Sequence, residues 1–256
     1  MSQTLRAGFV AAFAFVAVVS AKADTMNWGD LADPMGDVMF LQVSEDSGVG
    51  EPLRFGAPTA AGNQLIYSPN SFQSQSSGGG ADLVDSTVTT TIMANQNEVI
   101  NNIQFSEFGD YTLSGLNGGQ AQATVGAAFF YTVEEIDGVP VTMMTETASM
   151  QFTTGSGVNG GEYNRSVDDG TAIPWTGTVL IDLDAYLAGE GIDGSVTKVR
   201  LRFDNTLSTA ADSVSNAFIK KKEVGGVIIT TNIPEPASAL LVVLATAATF
   251  AARRQN

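Results

Sequence analysis

Paired carboxylates are the residues of this chain best suited to acid–base chemistry. The chain contains no histidine and no cysteine, so the commonest general base, a thiol nucleophile and the usual zinc ligands are all excluded. Asp182 and Asp184 stand two apart on a predicted strand, which places them on one face about 7 Å apart. That separation is within the range that glycosidases use. The sequence nevertheless favours the alternative, a solvated face followed by a helix cap.

Oxygen ligands are abundant, and calcium is bound through oxygen alone. Asp168, Asp169 and Gly170, with Glu162 and Asn164 nearby, form an oxygen-rich loop. The loop matches neither the EF-hand nor the aspartate–glycine nonapeptide repeat. A structural calcium ion at Asp168 and Asp169 is therefore a hypothesis, a solvated acidic turn is its alternative, and no other cofactor is predicted.

An exposed aromatic ring could bind a polysaccharide by stacking on its sugar rings. Trp175 lies in a turn-like segment after Pro174, so we consider it a candidate for glycan stacking, with a core tryptophan as the alternative. The three lysines at 220–222 follow one another on a predicted strand. Because successive strand residues alternate faces, they form no single basic patch and indicate a solvated edge.

The chain is strongly acidic. Asp and Glu number 27 against 12 Lys and Arg, giving a net charge of −15. Such a charge repels phosphate groups, so no nucleic acid partner is expected. Because cysteine is absent, an exported form of this chain has no disulfide and depends on its buried core.

Residues 24–232 read as a single all-β domain, an antiparallel β-sandwich of jelly-roll-like type. The clearest alternation is at 198–204, where Val199, Leu201 and Phe203 are predicted to face the core. Asp137-Gly138 predicts a type I′ hairpin turn into a strand at 139–154. We also expect a polar arm, ordered or frayed, at 24–34, a loop or flexible tip at 68–80, and one helical turn at 184–188 with Asp184 as its N-cap.

The N-terminal segment, residues 1–23, has the three parts of a secretory signal peptide. Arg6 precedes an apolar stretch at 7–19, and Ala21 and Ala23 flank Lys22 in an A-x-A cleavage site. The mature chain is therefore expected to begin at Asp24. An uncleaved N-terminal anchor is the alternative.

The C-terminal segment, residues 233–256, has three parts in a fixed order. Pro234-Glu235-Pro236 precedes an uncharged apolar run at 237–252, and Arg253 and Arg254 follow. As a helix the run would reach about 24 Å, a marginal transmembrane span. The two arginines would hold the end of the chain in the cytoplasm. A buried C-terminal helix and a permanent single-pass anchor are the alternatives.

This tail resembles the PEP-CTERM sorting signal of Gram-negative bacteria that make exopolysaccharide. The resemblance implies recognition by an exosortase, a membrane enzyme thought to cut near the Pro-Glu-Pro motif. Segments 103–111, 199–207 and 217–222 also look like parts of secreted bodies that precede such tails in planctomycete-like bacteria. That similarity implies a jelly-roll-like body of unassigned function.

Together these features predict an exported, non-enzymatic protein of the cell surface or extracellular matrix. Its expected partners are an exosortase, the membrane through the C-terminal helix, and polysaccharide. A carbohydrate-binding module is the alternative, and a glycan-active enzyme is a third hypothesis.

Overall fold

The computed structural model describes residues 23–69, 71–222 and 225–233. The predicted signal peptide, apart from Ala23, and the predicted sorting motif with Pro234, Glu235, Pro236, Arg253 and Arg254 lie outside these residues. No helix in the described ranges is both long and apolar enough to cross a membrane. In chain order the elements are β1 Ala23–Ala32, β2 Val38–Val49, β3 Thr59–Ala61, β4 Gln64–Tyr67, β5 Gln73–Ser77, β6 Ala81–Ala94, β7 Asn102–Gly115, β8 Ala121–Ile136, β9 Val139–Pro140, β10 Glu146–Ser149, β11 Gln151–Phe152, β12 Glu162–Asn164, α1 Arg165–Asp168, β13 Gly170–Asp182, α2 Leu183–Glu190, β14 Val196–Ala211, β15 Ser215–Lys221 and β16 Val227–Asn232.

The strands form two antiparallel sheets that pack as a β-sandwich, which confirms the predicted class. The first sheet has the order β1-β2-β6-β14-β8-β10, and β9 and β12 also pair with β8. The second has the order β11-β13-β7-β16-β4-β3. In the second sheet β7 pairs with β16 along 102–107 and with β15 along 109–115, and β15 also pairs with β5. Strand β7 is thus the centre of the second sheet, as β14 is of the first.

Strand β14 has the predicted alternation. Val199, Leu201 and Phe203 are completely buried, whereas Arg200 and Arg202 are exposed. The strand pairs with β6 on one side and β8 on the other. A slip of one residue would turn two arginines into the core, so the register is strongly specified.

Aromatic side chains from both sheets meet between them. The Phe105 ring of the second sheet lies 4.3 Å from the Phe129 ring and 5.4 Å from the Phe203 ring of the first, measured between centroids. Phe55, from the loop after β2, contacts the edges of Phe72 and Phe203. Burial of these rings supplies much of the free energy that holds the sheets together.

The hairpin prediction at Asp137-Gly138 is confirmed, because both residues have positive φ, 49° and 76°, as a type I′ turn requires. The single strand predicted at 139–154 is wrong. The segment instead pairs with β8 of the first sheet through β10 and with β13 of the second through β11. The buried Met150 lies between β10 and β11, where the chain passes from one sheet to the other.

The polar arm at 24–34 is ordered, because it is largely strand β1, paired with β2. Two other local predictions are corrected. The loop at 68–80 contains β5, in which Ser74 and Ser76 face inward. Helix α2 begins earlier than predicted, because Leu183 is buried in the core and Asp182, not Asp184, is the N-cap.

Candidate functional site

The two acids considered for glycosidase chemistry are engaged in local structure. The Asp182 carboxylate accepts a hydrogen bond of 2.9 Å from the backbone N–H of Ala185 and caps α2. Asp184 Oδ2 accepts one of 2.5 Å from the side-chain amide of Asn101. These contacts correspond to the alternative favoured by the sequence, in which the pair serves the fold.

The candidate calcium loop is also internally bonded. Asp168 Oδ2 accepts a hydrogen bond of 2.9 Å from the backbone N–H of Asn164, and Asp169 lies 3.4 Å from the Arg165 guanidinium. Across the described ranges, no group of three or more acidic side chains is arranged to hold a metal ion. Calcium binding at Asp168 and Asp169 stays a prediction.

Trp175 belongs to the core, so its predicted role in stacking on a sugar ring is wrong. Its residue surface is only 1% exposed, and its ring lies 6.0 Å from that of Phe152. The turn-like setting inferred from Pro174 is in fact strand β13, on which Trp175 points inward. The indole Nε1 has no hydrogen-bond partner among the described residues.

The lysine run contains the largest departure from the sequence-based interpretation. Lys220, Lys221 and Lys222 do alternate faces, but Lys221 is 1% exposed and lies inside the sandwich. Its Nζ donates hydrogen bonds of 2.5 Å to Glu107 Oε2 and 2.9 Å to Asn205 Oδ1. Asn205 Nδ2 donates one of 2.6 Å to Glu107 Oε1. We call these three residues the interior polar cluster.

Each member of the interior polar cluster interrupts an apolar stripe on a different strand. Glu107 follows Ile103 and Phe105 on the inward face of β7, and Asn205 lies between Phe203 and Leu207 on β14. Lys221 follows Ala217 and Ile219 on β15. The signal was present in the sequence as three polar residues on period-2 apolar stripes. Only the tertiary structure shows that the interruptions meet.

The cluster is sealed from water. Glu107 and Asn205 are completely buried, and the Lys221 Nζ lies 5.1 Å and 5.3 Å from the centroids of the Phe72 and Trp175 rings. Burial lowers the pKa of the Lys221 ammonium, and the adjacent Glu107 carboxyl opposes this shift. In such surroundings a charged pair is costly to desolvate, which favours the state in which the amine is neutral.

The outer face of the first sheet carries a groove of about 530 Å³. Its floor is formed by small residues of β8, including Gly126 and Ala128, and one wall by the loop at 157–160. Asp204, Thr206 and Glu162 also line it. The groove therefore combines small residues with polar ones whose oxygen atoms could accept hydrogen bonds from sugar hydroxyl groups; the Asp204 carboxylate also accepts hydrogen bonds from Thr87 and Arg202.

Comparison with known proteins gives only distant structural similarities. No protein family and no curated protein matches the chain. The structure of TmCBM61 in complex with β-1,4-galactotriose is 7% identical with a TM-score of 0.21, over 59% of this chain and 65% of that chain. Endoglucanase 3 of Trichoderma harzianum, from family GH12, is 9% identical with a TM-score of 0.21, over 84% and 99%. The family 11 xylanase of Neocallimastix patriciarum is 9% identical with a TM-score of 0.19, over 81% and 100%. Such similarities identify neither a family nor a ligand for this chain.

Proposed function

We propose that this chain is an exported, non-enzymatic protein of the cell surface or extracellular matrix, sorted through its C-terminal segment by an exosortase. Export rests on the signal-peptide pattern at 1–23. Sorting rests on the order of Pro234-Glu235-Pro236, the apolar run at 237–252 and the two terminal arginines. The body between them serves as a stable β-sandwich that survives without disulfides.

A structural role for the body is supported by its carboxylates, several of which form hydrogen bonds that hold the fold together. Asp182 caps helix α2, and Asp184 accepts a hydrogen bond from the Asn101 side chain. Glu107 is completely buried between the sheets. Glu45 is likewise fully buried and bonded to backbone N–H groups. An enzyme that acts on an external substrate needs a proton-transferring group within reach of that substrate, and these four carboxylates contact only groups of the protein itself.

Sorting predicts a specific processing defect. Replacing Pro234, Glu235 and Pro236 together with alanine should leave an unprocessed precursor in the inner membrane, because the extended recognition segment is lost. Mass spectrometry of both chain ends, with membrane fractionation, measures this. Ser238→Ala, in the apolar run, is the matched control and should be processed as the wild type is. Normal release of the triple variant would contradict sorting through this motif.

The groove on the first sheet favours glycan binding as a second candidate function. In this case a soluble polysaccharide would lie across Gly126, where an added Cβ would meet no atom within 4 Å. Gly126→Phe should fill the floor and weaken binding at least tenfold while leaving the fold intact.

Affinity electrophoresis against a panel of soluble xylan, β-glucan, galactan and bacterial exopolysaccharide would measure that loss. Gly189→Phe, on the exposed side of α2 where an added Cβ is also unobstructed, is the control. Absence of binding to every polysaccharide, or equal binding by both variants, would reject the groove as a glycan site.

A further inference from the structure

The interior polar cluster brings an amine, a carboxamide and a carboxyl group into mutual contact. Lys221 Nζ touches the Asn205 side-chain oxygen at 2.9 Å, and therefore lies next to the amide carbon Cγ to which that oxygen is bonded. Glu107 touches both partners, through Oε2 to the amine and through Oε1 to the amide nitrogen. Transfer of an acyl group from an amide nitrogen to an amine requires these three groups: the attacking amine, the amide and a proton carrier.

The surroundings favour reaction over simple ion pairing. All three side chains are almost completely withdrawn from water, and two aromatic rings flank the amine. The lowered pKa of Lys221 increases the fraction of amine that carries a lone pair. Holding the amine and the amide carbon in one packed site supplies the high effective concentration that makes slow acyl transfers feasible.

We propose that Lys221 and Asn205 become joined by an intramolecular isopeptide bond, with Glu107 as the catalytic proton carrier. The neutral Nζ attacks Cγ of Asn205, and the Nζ–Cγ bond forms. Glu107 delivers a proton to Nδ2 and accepts one from Nζ, the Cγ–Nδ2 bond breaks, and ammonia leaves. The carboxyl group ends in its starting protonation state, so no oxidant, reductant or other reactant is needed.

The bond would join the two sheets covalently. Asn205 belongs to β14 of the first sheet and Lys221 to β15 of the second, so the link would close the sandwich across its core. A chain without cysteine would thereby gain a cross-link that reducing agents do not break. The inference goes beyond the proposed function, because the reaction depends on folding and not on export, sorting or a ligand.

The first test is mass spectrometry of the full wild-type chain, solubilised with detergent and then denatured. We expect a mass lower than the sequence mass by one ammonia, after allowance for removal of either end. Digestion should yield a branched peptide joining Lys221 to Asn205, with no tryptic cleavage after Lys221. Succinimide formation at an Asn-Gly pair such as Asn117-Gly118 also releases ammonia, so the branched peptide is the required evidence.

Three variants test the chemistry. Glu107→Gln keeps the side-chain size but cannot carry the proton, and should remain unlinked. Asn205→Asp should form the same bond with loss of water in place of ammonia. Lys222→Met removes the neighbouring lysine, which pairs with Asp110 and is half exposed, and should link as completely as the wild type.

Circular dichroism of each variant separates loss of the link from loss of the fold, and the wild-type result stands if a variant does not fold. A folded wild-type chain without the branched peptide would overturn the proposal. So would a bond between Lys221 and Glu107 formed with loss of water. Full linkage in Glu107→Gln would overturn the role assigned to Glu107.

Discussion

Replacing Glu45 with alanine is expected to lower the free energy of unfolding by about 4 kcal/mol, because several buried donors lose their acceptor at once. Glu45 is fully buried near the end of β2. Its Oε1 accepts hydrogen bonds from the backbone N–H groups of Arg54 and Phe55, at 2.5 and 2.9 Å, and from the Ser86 hydroxyl at 2.9 Å. Its Oε2 accepts one of 3.2 Å from the N–H of Gly56.

These bonds matter because they position Phe55. The segment at 54–56 lies outside the strands, and the Glu45 carboxylate accepts the hydrogen bonds of its N–H groups as a neighbouring strand would. Phe55 is thereby held with its ring against Phe72 and Phe203. Loss of Glu45 should therefore loosen the core as well as the loop.

Equilibrium unfolding in urea measures the loss of stability, and two further variants serve as comparisons. Glu45→Gln keeps one carbonyl oxygen for the three Oε1 contacts but presents an N–H group to Gly56, and should cost about 1–2 kcal/mol. Glu51→Ala, which removes the ion pair between the exposed Glu51 carboxylate and the largely buried Arg54 of the same loop, should cost about 1 kcal/mol or less. A cost for Glu45→Ala similar to that of Glu51→Ala would show that the carboxylate does not anchor the loop.

The strands that carry a clear apolar alternation were predictable from sequence alone. The apolar residues Val199, Leu201 and Phe203 alternate with polar ones, which predicts a strand with one face in the core. Asp137-Gly138 tolerates positive φ at both positions, which predicts a hairpin turn. Residues 73–77 were missed because their inward positions are serines, which carry no hydrophobic signal. Their pairing with β15 is long-range and depends on where the rest of the second sheet lies.

The buried polar residues show why sites are harder to predict than strands. The alternation of faces in the lysine run predicts a solvated edge, in keeping with the rarity of buried lysine, yet the place of Lys221 in the period-2 pattern of β15 points inward. Its burial depends on Glu107 and Asn205, which are separated from it by 114 and 16 residues. No local pattern relates three such positions. The exposure predicted for Trp175 is wrong for a different reason, because Pro174 suggests a turn where the structure has strand β13.

The second large effect is expected at Gly109, where an added methyl group has no room. A Cβ built on Gly109 would lie 2.1 Å from two carbons of the Trp175 indole and 2.3 Å from the Lys220 carbonyl oxygen. The residue is paired with Trp175 on β13 and with Lys221 on β15. Gly109→Ala must therefore displace both the indole and the backbone of strand β15, at a cost of about 2–3 kcal/mol.

Gly126→Ala is the matched control for Gly109→Ala, since it lies on a long strand of the opposite sheet and an added Cβ meets nothing within 4 Å. Its free energy of unfolding should stay within about 0.5 kcal/mol of the wild type or rise slightly. Urea unfolding measures both variants. Equal stability of Gly109→Ala and Gly126→Ala would mean that the Trp175 ring moves aside without cost.

A double variant identifies which neighbour carries the strain. Trp175→Val removes the indole, so the methyl group of Gly109→Ala gains space on the β13 side, and the double variant should cost less than the sum of the two single changes. Additive costs would instead place the strain at the Lys220 carbonyl, which no side chain of β13 can relieve. Because Trp175 also flanks the Lys221 amine, the branched-peptide yield of these variants should fall wherever the indole is displaced or removed.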